Sequence, residues 1–314
     1  MPWSFLLVAC TVPAGDSAGP HRDGEPDTAD SADTADTADS ADSADSAVGG
    51  GPCAAYGAAV ATGTVADPTL DELSGLAASR LNPGVLWTHE DSGGAPELYA
   101  LDPTGQRVAT LTLDGVTNTD WEDLAVAECA AGWCLHVGDI GTLGTDRDTF
   151  AVLTVPEPLL SGASTLTATP EVRTFRYPEG PEDAEALAVD AEGRPLVMTK
   201  RTDATTQLYR LDDGADVLTP LATLATGPSD EDLAARVTAA DLWLDPPRLL
   251  VRTYFHLYEV DLTAPEAPGD PVELAAAVEF QGEAVAWAPD GGFWQVSEWQ
   301  SPTLWHTPCA EATP

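Results

Sequence analysis

One short pattern recurs five times along the chain, and the recurrence limits the folds open to it more than any other feature. The segments are LSGLAAS (Leu73–Ser79), DWEDLAVA (Asp120–Ala127), DAEALAVD (Asp183–Asp190), TAADLWLD (Thr238–Asp245) and QGEAVAWA (Gln281–Ala288). Aligned on their apolar runs, they make Ser74, Glu122, Glu185, Ala240 and Glu283 equivalent, at separations of 48, 63, 55 and 43 residues. Each run is followed by a turn, a second β-type run, a third of the Leu-Tyr kind and usually a fourth, as in ELYALDPTGQRVATLTL, QLYRLDDG and LYEVDL. Turns rich in Gly, Pro and Asp separate the runs, and helical periodicity is confined to SDEDLAARV (Ser229–Val237).

A four-stranded unit of 40 to 60 residues cannot bury both of its faces alone, but a ring of such units buries them all. The expected fold is therefore all-β, a five-bladed β-propeller over residues 53–311 with a short tail at 312–314. The last unit is one strand short, and AYGAAVATGTV (Ala55–Val65) at the start of the domain is free to supply it. That closure would bring Cys53 beside Cys309. The alternative is six blades, the sixth lying between Thr149 and Pro178.

Charge limits the partners. Of 314 residues, 52 are Asp or Glu and 13 are Lys or Arg, a net charge of −39. Binding to nucleic acid draws on many cationic side chains, so it is excluded as a function, as is adhesion to an anionic membrane surface. Metal cations, neutral ligands and other proteins remain. Residues 1–10 end in Leu7-Val8-Ala9-Cys10, which resembles the bacterial lipoprotein signal, although no Lys or Arg precedes the apolar run. That resemblance implies lipidation at Cys10, export and attachment to the cell envelope by the N-terminus alone. Residues 11–52 contain a three-residue repeat of Asp, Ser/Thr and Ala (Asp27–Ala47), too poor in large apolar groups to order itself. They are expected to be a disordered acidic linker. Cys129 and Cys134 flank a hairpin turn at disulfide spacing, and the five histidines are scattered with no zinc-site spacing to a cysteine. Two disulfides are expected, Cys53–Cys309 and Cys129–Cys134.

In a propeller, the starts of the innermost strands gather at one end of the central shaft. Three carboxylates roughly 5 Å apart repel by about 3 kcal/mol per pair at an effective dielectric near 20. Protons or a cation must relieve that, and hard oxygen ligands suit Ca²⁺. The alternative is that the glutamates line a water-filled shaft or cap backbone amides. With Ser74, Glu122, Glu185 and Glu283, the ring resembles the calcium-activated apyrase family, five-bladed propellers whose shaft calcium is held by a Ser/Glu/Glu/Ser/Glu set. Ala240 departs from that set. The chain also resembles bacterial propeller proteins through DWEDLA, VGDIG, EALAVD and MTKR, a resemblance that spans most of the domain and brings no activity with it.

Ends of second strands lie on the same face as the ring. They place Asp91, Asp139, Lys200, Arg252 and Glu298 around it, with His89, Trp121, Tyr254 and Trp299 as a rim. Asp139, Lys200, Arg252 and Glu298 are the catalytic candidates. Two functions follow. One is a binding module for a small anionic ligand or an extracytoplasmic protein, with Ca²⁺ in the shaft. The other is a Ca²⁺-dependent hydrolase of phosphoanhydrides or phosphoesters, apyrase- or phytase-like, with the cations holding the substrate.

Overall fold

The structure, a computed structural model, describes residues 52–70, 72–142, 147–162, 164–228 and 233–310. Cys10, the leader and nearly all of the acidic linker lie outside the described residues, as do residues 311–314. Among the described residues there is no helix; residues 229–232 of the expected helical turn are outside them, and Leu233–Ala235 is turn.

The chain begins its ordered path with β1 (Val60–Thr64), then builds blade one from β2 (Leu73–Ala78), β3 (Leu86–Glu90), β4 (Glu97–Leu101) and β5 (Arg107–Leu113). Blade two follows with β6 (Trp121–Cys129), β7 (Gly132–Asp139) and β8 (Phe150–Pro156). Next, β9 (Thr165–Ala168) crosses back to lie parallel against β5, and β10 (Glu171–Phe175) becomes the outer strand of blade two. The region that offered a sixth blade is thus spent on the edges of blades one and two. Blade three is β11 (Ala184–Val189), β12 (Pro195–Thr199), β13 (Thr205–Arg210) and β14 (Thr219–Ala225). Blade four is β15 (Val237–Leu244), β16 (Pro247–Thr253), β17 (Leu257–Asp261) and β18 (Val272–Glu273). Blade five takes β19 (Gly282–Trp287), β20 (Phe293–Ser297) and β21 (Thr303–Thr307), and β1 pairs antiparallel with β21 to complete it. The fold is a five-bladed β-propeller.

Closure is covalent as well. Cys53 and Cys309 form a disulfide across 256 residues, and Tyr56 bridges Cys309 through the backbone. Cys129 and Cys134 form the second disulfide, across the β6–β7 hairpin.

The inner strands β2, β6, β11, β15 and β19 pack side by side around the shaft, with β19 against β2. Both faces of an inner strand are covered, so its sequence reads as a continuous apolar run; β2, β11 and β19 are buried at every position. Outer strands such as β5 alternate instead. Five large apolar clusters lie one between each pair of neighbouring blades. Trp87 and Trp121 fill the space between blades one and two, and Trp287 that between blades four and five, all fully buried. These interfaces hold the blades at fixed angles and so fix the shaft.

Candidate functional site

Each inner strand carries a β-bulge near its start. The residue skipped by the pairing is Gly75, Glu122, Glu185, Thr238 and Glu283 in turn. A bulge bends its strand and re-aims the side chain that it displaces. Here it turns three glutamates into one cavity of about 370 Å³ at the mouth of the shaft.

The other two positions differ for physical reasons. Gly75 sits at φ +67, and a Cβ there would lie 2.6 Å from His89 Nε2, so no side chain fits. Blade one offers the cavity Ser74 instead, whose hydroxyl donates to the Glu122 carbonyl of the next blade. In blade four the residue is Thr238, not Ala240. Matching Asp241-Leu242 to Asp123-Leu124 had shifted that blade by two residues. Thr238 is fully buried and donates to the Gly282 carbonyl at 2.8 Å, while Ala240 lies deeper, its N–H bonded to Asp123.

Seven carboxylates line the cavity: Asp91, Asp120, Glu122, Asp183, Glu185, Glu283 and Glu298. Among the described residues Lys200 is the one cation in its wall. The Lys200 ammonium lies 2.9 Å from Glu185 Oε2 and 4.9 Å from the ring centre of Tyr254. Burial alone would lower its pKa, but Glu185 and Glu283 more than offset that and the ammonium is held protonated. Burial pushes Glu185 up to about 7 even with Lys200 opposing it. Burial, with Glu185, Asp91 and Asp120 adding repulsion, drives Glu122 well above the usual carboxylate range. Glu283 is raised likewise, by burial first, and shares a hydrogen bond with Glu298. Asp91 rises to about 6, again chiefly by burial.

Glu122 stands apart. It is 5% exposed, and no described residue gives its carboxylate a hydrogen bond or an ion pair. One oxygen from each of Asp91, Asp120 and Glu122 falls within a sphere of contacts no wider than 4.8 Å. Gly141 presses on the same group: a Cβ there would lie 1.8 Å from Glu122 Oε1 and 2.5 Å from Asp120 Oδ2.

The expected metal residues Ser74, Glu122, Glu185 and Glu283 are brought together in the cavity wall, and so are Asp91, Lys200, Tyr254 and Glu298. Asp139 and Arg252 are not. Position along the strand, relative to the bulge, marks the division. Lys200, Tyr254 and Glu298 each follow the residue paired with the position just before a bulge, whereas Asp139 and Arg252 fall one and two residues earlier. Asp139 is bound to Arg147 at 2.6 Å, and Arg252 is buried against Glu279 at 2.6 Å beside Gly282. His89 and Trp121 are fully buried and pack edge to face, so they belong to the core, while Trp299 is exposed. Asp120, Asp183 and Thr142 also line the cavity without having been singled out. A signal for the first two was present: Asp120-Trp-Glu122 and Asp183-Ala-Glu185 repeat an Asp two residues before the bulged Glu, with Gln281 in that place in blade five.

No protein-family model matches the chain, and no curated protein does. Among solved structures, the major Malassezia sympodialis allergen Mala s 1 is similar over 78% of this chain and 94% of its own, at 10% identity and a TM-score of 0.50. The PQQ-bound aldose sugar dehydrogenase of Streptomyces coelicolor covers 80% of this chain and 98% of its own, at 12% identity and a TM-score of 0.49. The soluble aldose sugar dehydrogenase of Escherichia coli in its apo form covers 81% and 99%, at 11% identity and 0.49. At such identities a likeness concerns the fold alone.

Proposed function

We propose that the chain is an exported, lipid-anchored binding module whose acidic collar holds Ca²⁺. The observation that carries this reading is Glu122: a carboxylate 5% exposed, given no hydrogen bond or ion pair by any described residue, in a cavity where Asp91 and Asp120 converge on it. Left uncompensated, a buried carboxylate takes up a proton or a cation. The carboxylate and hydroxyl donors are all oxygens, the chemistry that calcium takes, and among the described residues neither His nor Cys lines the cavity. Glu122, Asp91 and Asp120 would hold the ion, with Ser74, Glu185 and Glu283 bordering it. Calcium there would neutralise the collar and tie the starts of several blades together. The leader, the acidic spacer and two disulfides support an envelope location, because disulfides persist in oxidising compartments. The ligand would be a small molecule or an extracytoplasmic protein meeting the collar face.

Geometry weighs against the hydrolase alternative. Of its candidate groups, Lys200 is held by Glu185, Arg252 by Glu279 and Asp139 by Arg147, so among the described residues no cation in the wall is free to grip a phosphate. Calcium-dependent turnover of nucleotides or phytate, abolished in Glu185→Gln, would reinstate it.

The test is thermal melting in EDTA and in millimolar Ca²⁺. A ligand that binds only the folded state stabilises it by RT ln(1+[L]/Kd), about 2.7 kcal/mol at a hundredfold excess over Kd. The melting temperature should rise by several degrees with calcium and should not respond in Glu122→Gln. An unchanged wild-type melting temperature at millimolar calcium removes the metal.

A further inference from the structure

Among the described residues, Phe255, Phe280 and Trp299 are the exposed aromatics, at 48%, 66% and 58%. None is in the cavity wall itself, but each is close in sequence to a residue that is: Phe255 follows Tyr254, Trp299 follows Glu298, and Phe280 lies three residues before Glu283. Phe280 and Trp299 meet edge to face with ring centres 5.7 Å apart. The segments carrying them are tied to the wall, since Gln281 donates to Glu298 Oε2 at 3.1 Å and Gly282 N–H donates to the Tyr254 carbonyl at 3.0 Å.

Backbone strain gathers at the same lip. Of four non-glycine residues with positive φ among the described residues, three are Gln281 at 56°, Trp299 at 153° and Ser301 at 56°. Such conformations cost of order 1–3 kcal/mol each and persist where the surroundings enforce them. Here they present two rings to solvent that a relaxed turn would be free to bury.

A bare metal ion has no use for an aromatic lip. A neutral ring compound has no use for seven carboxylates, and an anion is repelled by them. One ligand chemistry satisfies both halves. We propose that the collar and lip form a receptor for a small organic cation, a protonated amine or guanidinium carried on an aromatic or apolar body. The cationic head enters the well toward Glu122, whose buried carboxylate has no hydrogen bond or ion pair from any described residue, and the body rests on Phe280 and Trp299. Aromatic faces attract cations as well as apolar surface, so the lip also guides the head inward. A cavity of about 370 Å³ admits a head group of this size. The proposal goes beyond the calcium reading: amine and metal draw on the same carboxylates and should exclude one another.

The experiment is isothermal titration of the full-length protein at pH 7.5, after EDTA treatment and dialysis, with phenethylamine, its neutral counterpart 2-phenylethanol, and methylammonium. Phenethylamine should bind at least about tenfold more tightly than either control, because each control lacks one half of the recognition. Trp299→Ala and Phe280→Ala, at exposed positions and with unchanged melting temperature, should each weaken it by about three- to tenfold. Equal binding of 2-phenylethanol, or full affinity in both aromatic variants, overturns the proposal. Amine binding without any calcium-induced melting shift keeps this proposal and removes the metal reading; a calcium shift without amine binding does the reverse.

Discussion

Glu122 and Asp123 are consecutive residues of β6, both buried and both acidic, and the shaft treats them in opposite ways. Glu122 is displaced by the bulge, faces the cavity and has no hydrogen bond or ion pair from any described residue. Asp123 points into the packed interior of the shaft. Its Oδ1 accepts the Leu124 N–H at 2.8 Å, and its Oδ2 accepts the N–H groups of Leu187 at 2.8 Å and Ala240 at 3.0 Å. One carboxylate thereby clasps blades two, three and four. Asp241 repeats the device between blades four and five, accepting from Leu242 and Trp287 at 2.8 Å each. Burial raises both pKa values, that of Asp241 to about 6, while the backbone donors oppose it. The contrast separates two uses of an acid in a propeller shaft. Where backbone amides converge, a carboxylate is a fastener; where mostly other carboxylates converge, with Lys200 the cation beside them, the proposed role is to receive something from outside the chain.

The clasp gives the largest expected effect. Asp123→Ala leaves three buried N–H groups without an acceptor, each costing about 1–3 kcal/mol. The loss should exceed about 3 kcal/mol and lower the melting temperature by roughly 10 °C. Asp123→Asn keeps an acceptor oxygen and should lose less than half as much. Equal losses in the two variants, measured by denaturant unfolding, would show that the fastening does not depend on acceptance of those N–H groups.

The two acids also differ in how plainly the sequence announces them. Glu122, Glu185 and Glu283 repeat before runs of small apolar residues, so their convergence follows once the units are ranged around a ring. Ring closure was legible for a similar reason: blade five lacked a strand, and β1 lay unclaimed at the start of the domain. The path of β9 was not legible, because its parallel pairing with β5 depends on where a loop runs rather than on any pattern in Thr165–Ala168. Lys200 and Arg252 look alike in sequence, both cations at the ends of second strands. They differ by two residues in register: Lys200 follows the residue paired just before its blade's bulge, at the strand end, whereas Arg252 comes before that residue, further along the strand, where Glu279 holds it. Asp123 was hidden by its neighbour: an acid whose partners are backbone amides from other blades leaves no mark in the composition.

A smaller effect distinguishes the receptor from the clasp through pH. The pKa values of Asp91, Glu122, Glu185 and Glu283 are raised in the folded state, so between about pH 4 and pH 7 the folded protein binds more protons than the unfolded chain. Their contribution is favourable below the unfolded values and is lost as pH rises through the folded ones, near 6 for Asp91 and 7 for Glu185. In EDTA the melting temperature should therefore fall by several degrees from pH 5 to pH 8, and calcium should flatten or reverse that slope. A melting temperature that rises steadily over this range in EDTA would mean that the collar is already neutralised from within.

Glu122→Gln makes the smallest and most selective change. It removes one charge from a crowd of carboxylates and leaves every backbone bond of the Asp123 clasp in place. Towards pH 8 in EDTA, as more of the native carboxyl ionises, the variant should gain on the wild type, because relief of repulsion of about 1 kcal/mol moves a domain of this size by roughly 2–4 °C. Towards pH 5, as the raised carboxyl takes up its proton, the two should converge. A substitution that stabilises only when the native side chain would be charged, and that abolishes the response to calcium, cannot act through packing. If Glu122→Gln lowers the melting temperature at both pH values, Glu122 is a fastener like its neighbour, and the distinction between the two acids fails.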